Sequence, residues 1–261
     1  MSMIDFYKYQ GTGNDFVIID NRNNQFNGDD VSLINHLCDR HFGIGGDGLM
    51  LLESHPELDF TMRYFNSDGR EASMCGNGGR CIAAFAVHMN VVKSPESFSF
   101  MAVDGEHHAT YNDGIVNLKM ISVNDIKKAD NYTFMNTGSP HHVCFINDVD
   151  DVNVVQEGKE IRYSELYAPD GTNVNFVQFD SENQIKVRTY ERGVEDETFA
   201  CGTGVVASAI SAHLLKPEYT HFKVDVLGGK LEVTMKPNEI GFDDVWLKGP
   251  ATFVFKGKIE I

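Results

Sequence analysis

The sequence predicts an α/β protein, α+β in the segregation of its elements, made of two pseudo-symmetric domains, each a sheet wrapped around one central helix. Three observations predict it. Sliding the 261-residue chain against itself by about 126 residues brings Thr12-Gly13-Asn14 onto Thr137-Gly138-Ser139 and Leu49–Glu53 onto Phe176–Asp180, and likewise Tyr64 onto Tyr190 and Cys75-Gly76-x-Gly78 onto Cys201-Gly202-x-Gly204. A nearly constant offset at four separate points marks a duplication. Short apolar or alternating runs bounded by Gly, Asn and Asp recur in both halves and read as strands. One helix per half follows the Cys-Gly motif.

In chain order, the first half should form strands over Phe16 to Asp20, Leu49 to Glu53, Phe60 to Phe65, Phe98 to Val103 and Ile115 to Met120. It also carries a helix from about Val31 to His41 that is extra to the repeat. The second half should answer with strands over Val143 to Ile146, Asn175 to Phe179, Ile185 to Tyr190, Phe222 to Val226, Lys230 to Met235 and Val245 to Leu247. Ile82, Phe85, Ala86 and Met89 recur at helical spacing, and Val206, Ala209, Ile210 and Leu214 nearly repeat it. Each helix is therefore expected to present one broad apolar face. The first domain should span residues 1–122 and the second 123–250, with the boundary in the polar stretch Ile121 to Tyr132. The terminal segment 251–261 is expected to pack back onto the first domain.

Composition excludes several function classes. With 38 acidic against 22 basic residues the net charge is −16, and no Lys/Arg cluster is present. A nucleic-acid partner is therefore not expected, and a small zwitterionic or cationic substrate is. Runs such as Leu49–Leu52 are far too short to span a bilayer, and Met1 to Gln10 lacks a signal-peptide core, so no membrane association and a cytoplasmic location are expected. The five cysteines, 38, 75, 81, 144 and 201, are odd in number and scattered. They suggest neither a disulfide framework nor a metal site. A homodimer is left open.

A Cys-Gly-x-Gly at the start of a helix has a specific chemistry. The first helical N–H groups lack intrahelical partners and carry partial positive charge, so they can hold a carboxylate, and glycines let a ligand come close. The same field stabilises a thiolate. Core packing is the commoner fate of a lone cysteine and suits Cys38, Cys81 and Cys144. Repetition of one motif in both halves points instead to function for Cys75 and Cys201. Related by a pseudo-twofold axis, these thiols are expected to face one another across a cleft. One would take a proton from a carbon while the other delivers one from the opposite side. The product is racemisation or epimerisation without a cofactor. Neither a P-loop nor a dinucleotide fingerprint is present.

Four stretches together, in order and over nearly the whole chain, resemble the diaminopimelate epimerase family. They are Gly11–Phe16, Asp39–Gly48, Met74–Cys81, and Tyr190–Gly193 leading to Ala200–Gly204. The resemblance implies two mirror-related domains, each a curved, mostly antiparallel sheet or barrel around a central helix. It also implies a two-cysteine, cofactor-independent interconversion of LL- and meso-diaminopimelate that serves lysine and peptidoglycan precursor synthesis. It implies that Cys75 and Cys201 are acid and base, and that Asn14, Gly76, Asn77, Gly202 and Thr203 hold the reacting amino-acid end. Asn66, Asn175, Glu191 and Arg192 would grip the distal end, with His141 and Glu191 tuning the thiols. An Arg fork suits a carboxylate, and Glu191 with neutral amides suits an ammonium. Many members read Gly-Asn-Pro-His where this chain has Gly138-Ser139-Pro140-His141, so Ser139 is a shorter-reaching substrate contact. Gly48 stands where some members carry glutamine.

Blander readings stand beside these. Asn14 and Asn77 could be turn formers, His141 and His142 ordinary strand histidines, and Glu191-Arg192 an exposed ion pair. Two other functions fit part of the pattern. A proline- or hydroxyproline-type racemase would share the paired cysteines but has no use for a second charged-group site. A cysteine hydrolase using Cys75 and His141 would need only one thiol.

Overall fold

The structure, a computed structural model, describes residues 3–72 and 75–261. Met74, the first residue of the Met74–Cys81 motif, lies outside them. The chain divides into two compact units, residues 1–118 with 249–261, and residues 119–248. Next to the expected boundary at 122/123, Met120 N and Val123 N donate to the Val245 and Phe242 carbonyls within the second unit.

The first unit contains β1 (Met3–Gly11), β2 (Asn14–Asp20), α1 (Val31–Cys38), β3 (Gly48–Glu53), β4 (Phe60–Asn66), α2 (Gly76–His88), β5 (Phe98–Ala102), β6 (Gly105–Asn112), β7 (Ile115–Lys119, its last residue counted with the second unit) and, from the chain's end, β17 (Thr252–Glu260). The second contains β8 (Ile126–Lys128), β9 (Thr133–Asn136), β10 (Pro140–Phe145), α3 (Val154–Arg162), β11 (Asn173–Phe179), β12 (Gln184–Glu191), β13 (Asp196–Thr198), α4 (Gly202–Leu215), β14 (His221–Val226), β15 (Gly229–Pro237) and most of β16 (Phe242–Pro250).

The two ladders match strand for strand. In the first unit, β17, β1 and β2 are antiparallel neighbours, β2 and β3 are parallel, β3 and β4 antiparallel, β4 and β5 parallel, and β5, β6 and β7 antiparallel. In the second, β8, β9 and β10 are antiparallel, β10 and β11 parallel, β11 and β12 antiparallel, β12 and β14 parallel, and β14, β15 and β16 antiparallel. Among the described residues no helix is long and apolar enough to cross a membrane.

Two expectations need correction. The first-half helix is not extra, because α3 occupies the same place between β10 and β11 that α1 occupies between β2 and β3. Its sequence is polar and interrupted by Gly158, which hides the helical period. Stability comes instead from its start, where the Asn153 side chain accepts from Gln156 N and Glu157 accepts from Asn153 N, a reciprocal capping arrangement. Gly158 lets the helix lie against β12, since a Cβ there would stand 2.4 Å from Tyr190 Cβ.

The second correction concerns α2 and α4, which are not amphipathic. Every residue of α2 from Gly76 to Ala86 is buried, as are all but Thr203 in α4 from Gly202 to His213. Glycine, alanine and serine on the sides away from the large residues allow strands to approach from all directions. The serines that this burial strands bond back to the helix, Ser208 to Gly204 O and Ser211 to Ala207 O. Strands β2 and β3 are correspondingly buried on both faces. Val17, Ile19, Leu49 and Leu51 join Ile34 and Leu37 of α1 in one core cluster, and the alternate residues Phe16, Ile18, Met50 and Leu52 are equally buried. This is the continuous apolar pattern of a doubly covered strand.

A charged cluster braces the start of β2. Asp15 receives Arg40 at 2.6 Å and Lys8 at 2.7 Å, Arg40 also reaches Asp47 at 2.7 Å, and Lys8 bonds the Gly45 carbonyl. Burial alone would raise the Asp15 carboxyl, but the Arg40 and Lys8 bonds overcome it and bring it down to about 2. Because the folded value lies below the ordinary 3.8, this stabilisation is full above about pH 4 and is lost as pH falls toward about 2. Asp15→Asn should therefore be less stable at pH 7 and show a flatter loss of urea midpoint between about pH 4 and 2 than wild type. Parallel acid profiles for the two proteins would refute it. Gly158→Ala should cost about 1–3 kcal/mol by overpacking against Tyr190, read as a lowered urea midpoint at unchanged slope.

Candidate active site

Cys75 and Cys201 occupy equivalent positions. Each is the N-cap of its unit's central helix with extended backbone, φ −98° and ψ 128° for Cys75, φ −113° and ψ 110° for Cys201. Cys75 is half-buried and Cys201 buried. The remaining three cysteines lie in α1, α2 and β10, and burial pushes each thiol up to about 12, which leaves them inert near neutrality.

Around Cys75 the first unit gathers Asn14 and Asn77. Asn14 opens β2 just after the Thr12-Gly13 turn, where both residues have positive φ, 51° and 86°. Such a two-residue turn suits the twist of a hairpin. Asn14 Nδ2 donates to Asp47 Oδ2 at 2.5 Å, which turns its Oδ1 toward Asn77 Nδ2 at 3.2 Å and Cys75 Sγ at 3.6 Å. Asn77, nearly fully buried, is held from behind by Arg80, whose NH2 reaches Asn77 Oδ1 at 3.1 Å and Thr12 Oγ1 at 3.2 Å and whose NH1 reaches the Gly76 carbonyl at 3.3 Å. Desolvation lowers the Arg80 pKa, opposed by the thiols of Cys81 and Cys75. Asn14 and Asn77 are thus more than turn formers. Asp47 and Arg80, which orient them, carried no role in the sequence reading, although both lie inside its motifs. Asn66 ends β4, exposed, in register with Gly48 at the start of β3. Gly48 is dictated by packing, because a Cβ there would stand 2.5 Å from the Phe65 carbonyl and 2.6 Å from the Tyr64 ring.

The second unit builds a different network on Cys201. Thr203 Oγ1, in the first turn of α4, lies 3.4 Å from Cys201 Sγ, 2.9 Å from His141 Nε2 and 3.1 Å from Ser139 Oγ. Ser139 Oγ is also 2.9 Å from His141 Nε2. Gly138, at φ 114°, makes the turn that carries Ser139 to this place, and Thr137 Oγ1 donates to the Thr203 carbonyl. His141 is fully buried, and this burial, with the charge of Arg192, pushes it down to about 3. His142 points elsewhere, stacked on Tyr132 and bonded to Tyr167 Oη at 2.7 Å, as alternation along a strand requires.

Asn175 does not grip a distal group. It is 0% exposed, and its amide is engaged by His142 O, His141 Nδ1 and Thr189 Oγ1. A Cβ on Gly204 would fall 2.4 Å from Asn175 Oδ1, so the second motif glycine in this unit makes room for that amide rather than for a ligand. Asn173, two residues earlier on the same strand face, is the residue the sequence reading passed over. Its Oδ1 accepts from Arg192 N at 2.8 Å and its Nδ2 donates to Ser139 Oγ and the Pro140 carbonyl. The alternation Asn173-x-Asn175 was the available signal. Glu191 Oε2 accepts from Thr198 Oγ1 at 2.8 Å, and Arg192 NH1 bonds the Asp170 carbonyl. The Arg192 side chain lines a cavity of about 450 Å³ with Asp170, Gly171, Tyr167, Tyr132 and Pro140.

Neutral His141, one hydroxyl beside a helix-start sulfur, and a second helix-start thiol beside two amides amount to acid–base equipment. The comparisons bear on its use. The family model described as diaminopimelate epimerase matches residues 6–118 and 133–254. A diaminopimelate epimerase of Flavobacterium psychrophilum is 51% identical over 97% of this chain and 99% of its own length. That of Chlorobaculum tepidum is 40% identical over 96% of this chain and 99% of its own. Among solved structures, a Bacillus anthracis phenazine biosynthesis protein of the PhzF family superposes with a TM-score of 0.80 at 13% identity, covering all of both chains. A probable proline racemase from Agrobacterium radiobacter gives 0.70 at 16% over 99% of this chain and 93% of its own. At such identities these two show the shared fold. By the family match and by identity along nearly its whole length, the chain belongs to the diaminopimelate epimerase family.

Proposed function

We propose that this isomerase interconverts LL- and meso-diaminopimelate by proton transfer between two thiols and the α-carbon, without a cofactor, in the cytoplasm, as a step toward lysine and peptidoglycan precursors. The observation that carries the reading is the recurrence of a cysteine at the N-cap of the central helix in each unit, with the same extended backbone conformation. A thiolate removes the α-proton and becomes a thiol, while the other thiol gives its proton to the opposite face and becomes a thiolate. The configuration inverts and the enzyme is left with its protonation pattern reversed. Negative charge spreading onto the α-carboxylate is met by helix-start N–H groups, fixed dipoles that need no reorganisation as charge develops. Gly76, Asn77, Gly202 and Thr203 supply those positions, and Asn14 adds an amide beside Cys75.

At the distal end, Arg192 and Glu191 offer complementary charges for a carboxylate and an ammonium, with Asn66 and Asn173 as neutral partners. A second charged end group is what separates diaminopimelate from proline as substrate. A hydrolytic role for Cys75 and His141 is disfavoured, because His141 bonds the Thr203 hydroxyl beside Cys201.

Cys75→Ala and Cys201→Ala should each lower net epimerisation by about 10²–10⁴-fold. In heavy water, wild type should place deuterium at the α-carbon as the meso form appears, and appreciable turnover by either variant would refute the two-thiol scheme. Arg192→Ala should raise KM for diaminopimelate by about 10- to 100-fold, the loss of a charge-assisted bond, with kcat changed much less. Unaltered KM would remove Arg192 from the site.

A further inference from the structure

We propose that Asn175 is a positioning residue that holds the proton of neutral His141 on Nε2, so that Thr203 turns its hydroxyl hydrogen onto the Cys201 sulfur. The proposal rests on the epimerase reading for what that sulfur does, but its geometry stands apart from it.

Asn175 Nδ2 is 3.0 Å from the His142 carbonyl, which can only accept, and Asn175 Oδ1 is 3.0 Å from the Thr189 hydroxyl. Reversing the amide would set one carbonyl oxygen against another, so its orientation is fixed. The second hydrogen on Nδ2 then points at His141 Nδ1, 3.1 Å away. That nitrogen must accept. Full burial and the nearby charge of Arg192 keep the ring neutral, and a neutral imidazole that accepts at Nδ1 carries its hydrogen on Nε2.

Nε2–H lies 2.9 Å from both Ser139 Oγ and Thr203 Oγ1. Asn173 Nδ2 also donates to Ser139 Oγ, at 3.2 Å. Each hydroxyl that accepts directs its own hydrogen onward, Ser139 to Thr203 at 3.1 Å and Thr203 to Cys201 Sγ at 3.4 Å. The donors therefore run in one sense from the core to the sulfur. A hydrogen bond to the charged form favours it, so the arrangement favours a Cys201 thiolate. With the proton on Nδ1 instead, Nε2 would accept from Thr203 and draw the hydroxyl hydrogen away from sulfur. Gly204 belongs to the same device, because any Cβ there would displace the Asn175 amide. Among the described residues, the charge that acts on the ring is that of Arg192, with Cys201 beyond the Thr203 hydroxyl and His142 on the opposite strand face.

Two measurements test this. In wild type, long-range ¹⁵N–¹H spectra of histidine-labelled protein, with His141 assigned by its loss in His141→Gln, should show hydrogen on Nε2 and none on Nδ1. In a Cys75→Ser background, alkylation of Cys201 by iodoacetamide gives the thiol's pH midpoint. Asn175→Asp, whose carboxylate accepts from Nδ1–H, should move the ring proton and raise that midpoint by about one unit, slowing alkylation about tenfold below it. In the otherwise native enzyme it should lower kcat with little change in KM. Thr203→Val should raise the midpoint while leaving the tautomer alone. A wild-type proton on Nδ1, or a folded Asn175→Asp with an unmoved midpoint, overturns the proposal. Should Asn175→Asp fail to fold, the wild-type tautomer and the Thr203→Val midpoint decide together, and an unmoved midpoint there is equally fatal. Neither readout needs turnover. The expected tautomer and midpoints in a protein unable to epimerise diaminopimelate would refute the functional reading alone, and epimerisation with the wrong tautomer would refute only the role of Asn175.

Discussion

Burial of the central helix on every side is the constraint from which the site follows. A helix enclosed by strands needs small residues wherever a strand comes close, and each polar group it carries must be satisfied within the unit. Its N-terminus is where unpaired N–H groups and the positive end of the dipole coincide. Cys75 and Cys201 sit at that terminus in the two units with nearly the same dihedral angles, so the fold presents one thiol per unit in a field that favours its charged form.

Duplication has conserved the frame and let the polar surroundings diverge. Behind Cys75 stands a chain of amides braced by Asp47 and Arg80, with a carbonyl oxygen of Asn14 facing the sulfur. Beside Cys201 stand two hydroxyls and a neutral imidazole. The first sulfur meets an acceptor and the second meets a hydroxyl that can donate. Equivalent backbone positions thereby acquire unequal hydrogen-bond polarity, and the proposed two-thiol proton transfer calls for groups in opposite protonation states.

Much of the fold was legible because the paired strands alternate or run continuously apolar, and because the Cys-Gly motif recurs. The helix α3 escaped notice, since an Asn153 cap and the close approach of Gly158 to Tyr190 stabilise it without an apolar period. Strands β1, β6, β8, β9 and β13 were not anticipated either; β8 and β13 are three residues each and mostly polar. The enclosure of α2 and α4 was misread as amphipathicity, because small residues score as weakly apolar whether or not a strand covers them. At the candidate site, residue types and motif positions pointed to the two helix-start sulfurs, and the structure places Asn14 beside one and Thr203 beside the other. Asn175 was misplaced because a buried amide and a substrate-binding amide look alike in sequence, and only the ladder shows that its partners are His141, His142 and Thr189. Asp47 and Arg80 act through Asn14 and Asn77 and give no signal of their own.

The pairing of β17 with β1, which joins Met3 to Glu260 and runs through to Gln10 with Thr252, has a consequence for biogenesis. A ribosome delivers the whole of the second unit before it delivers the strand that completes the first. The first unit's sheet must wait with β1 lacking its outer neighbour, an exposed template for intermolecular pairing, while the later-made unit can finish folding before it.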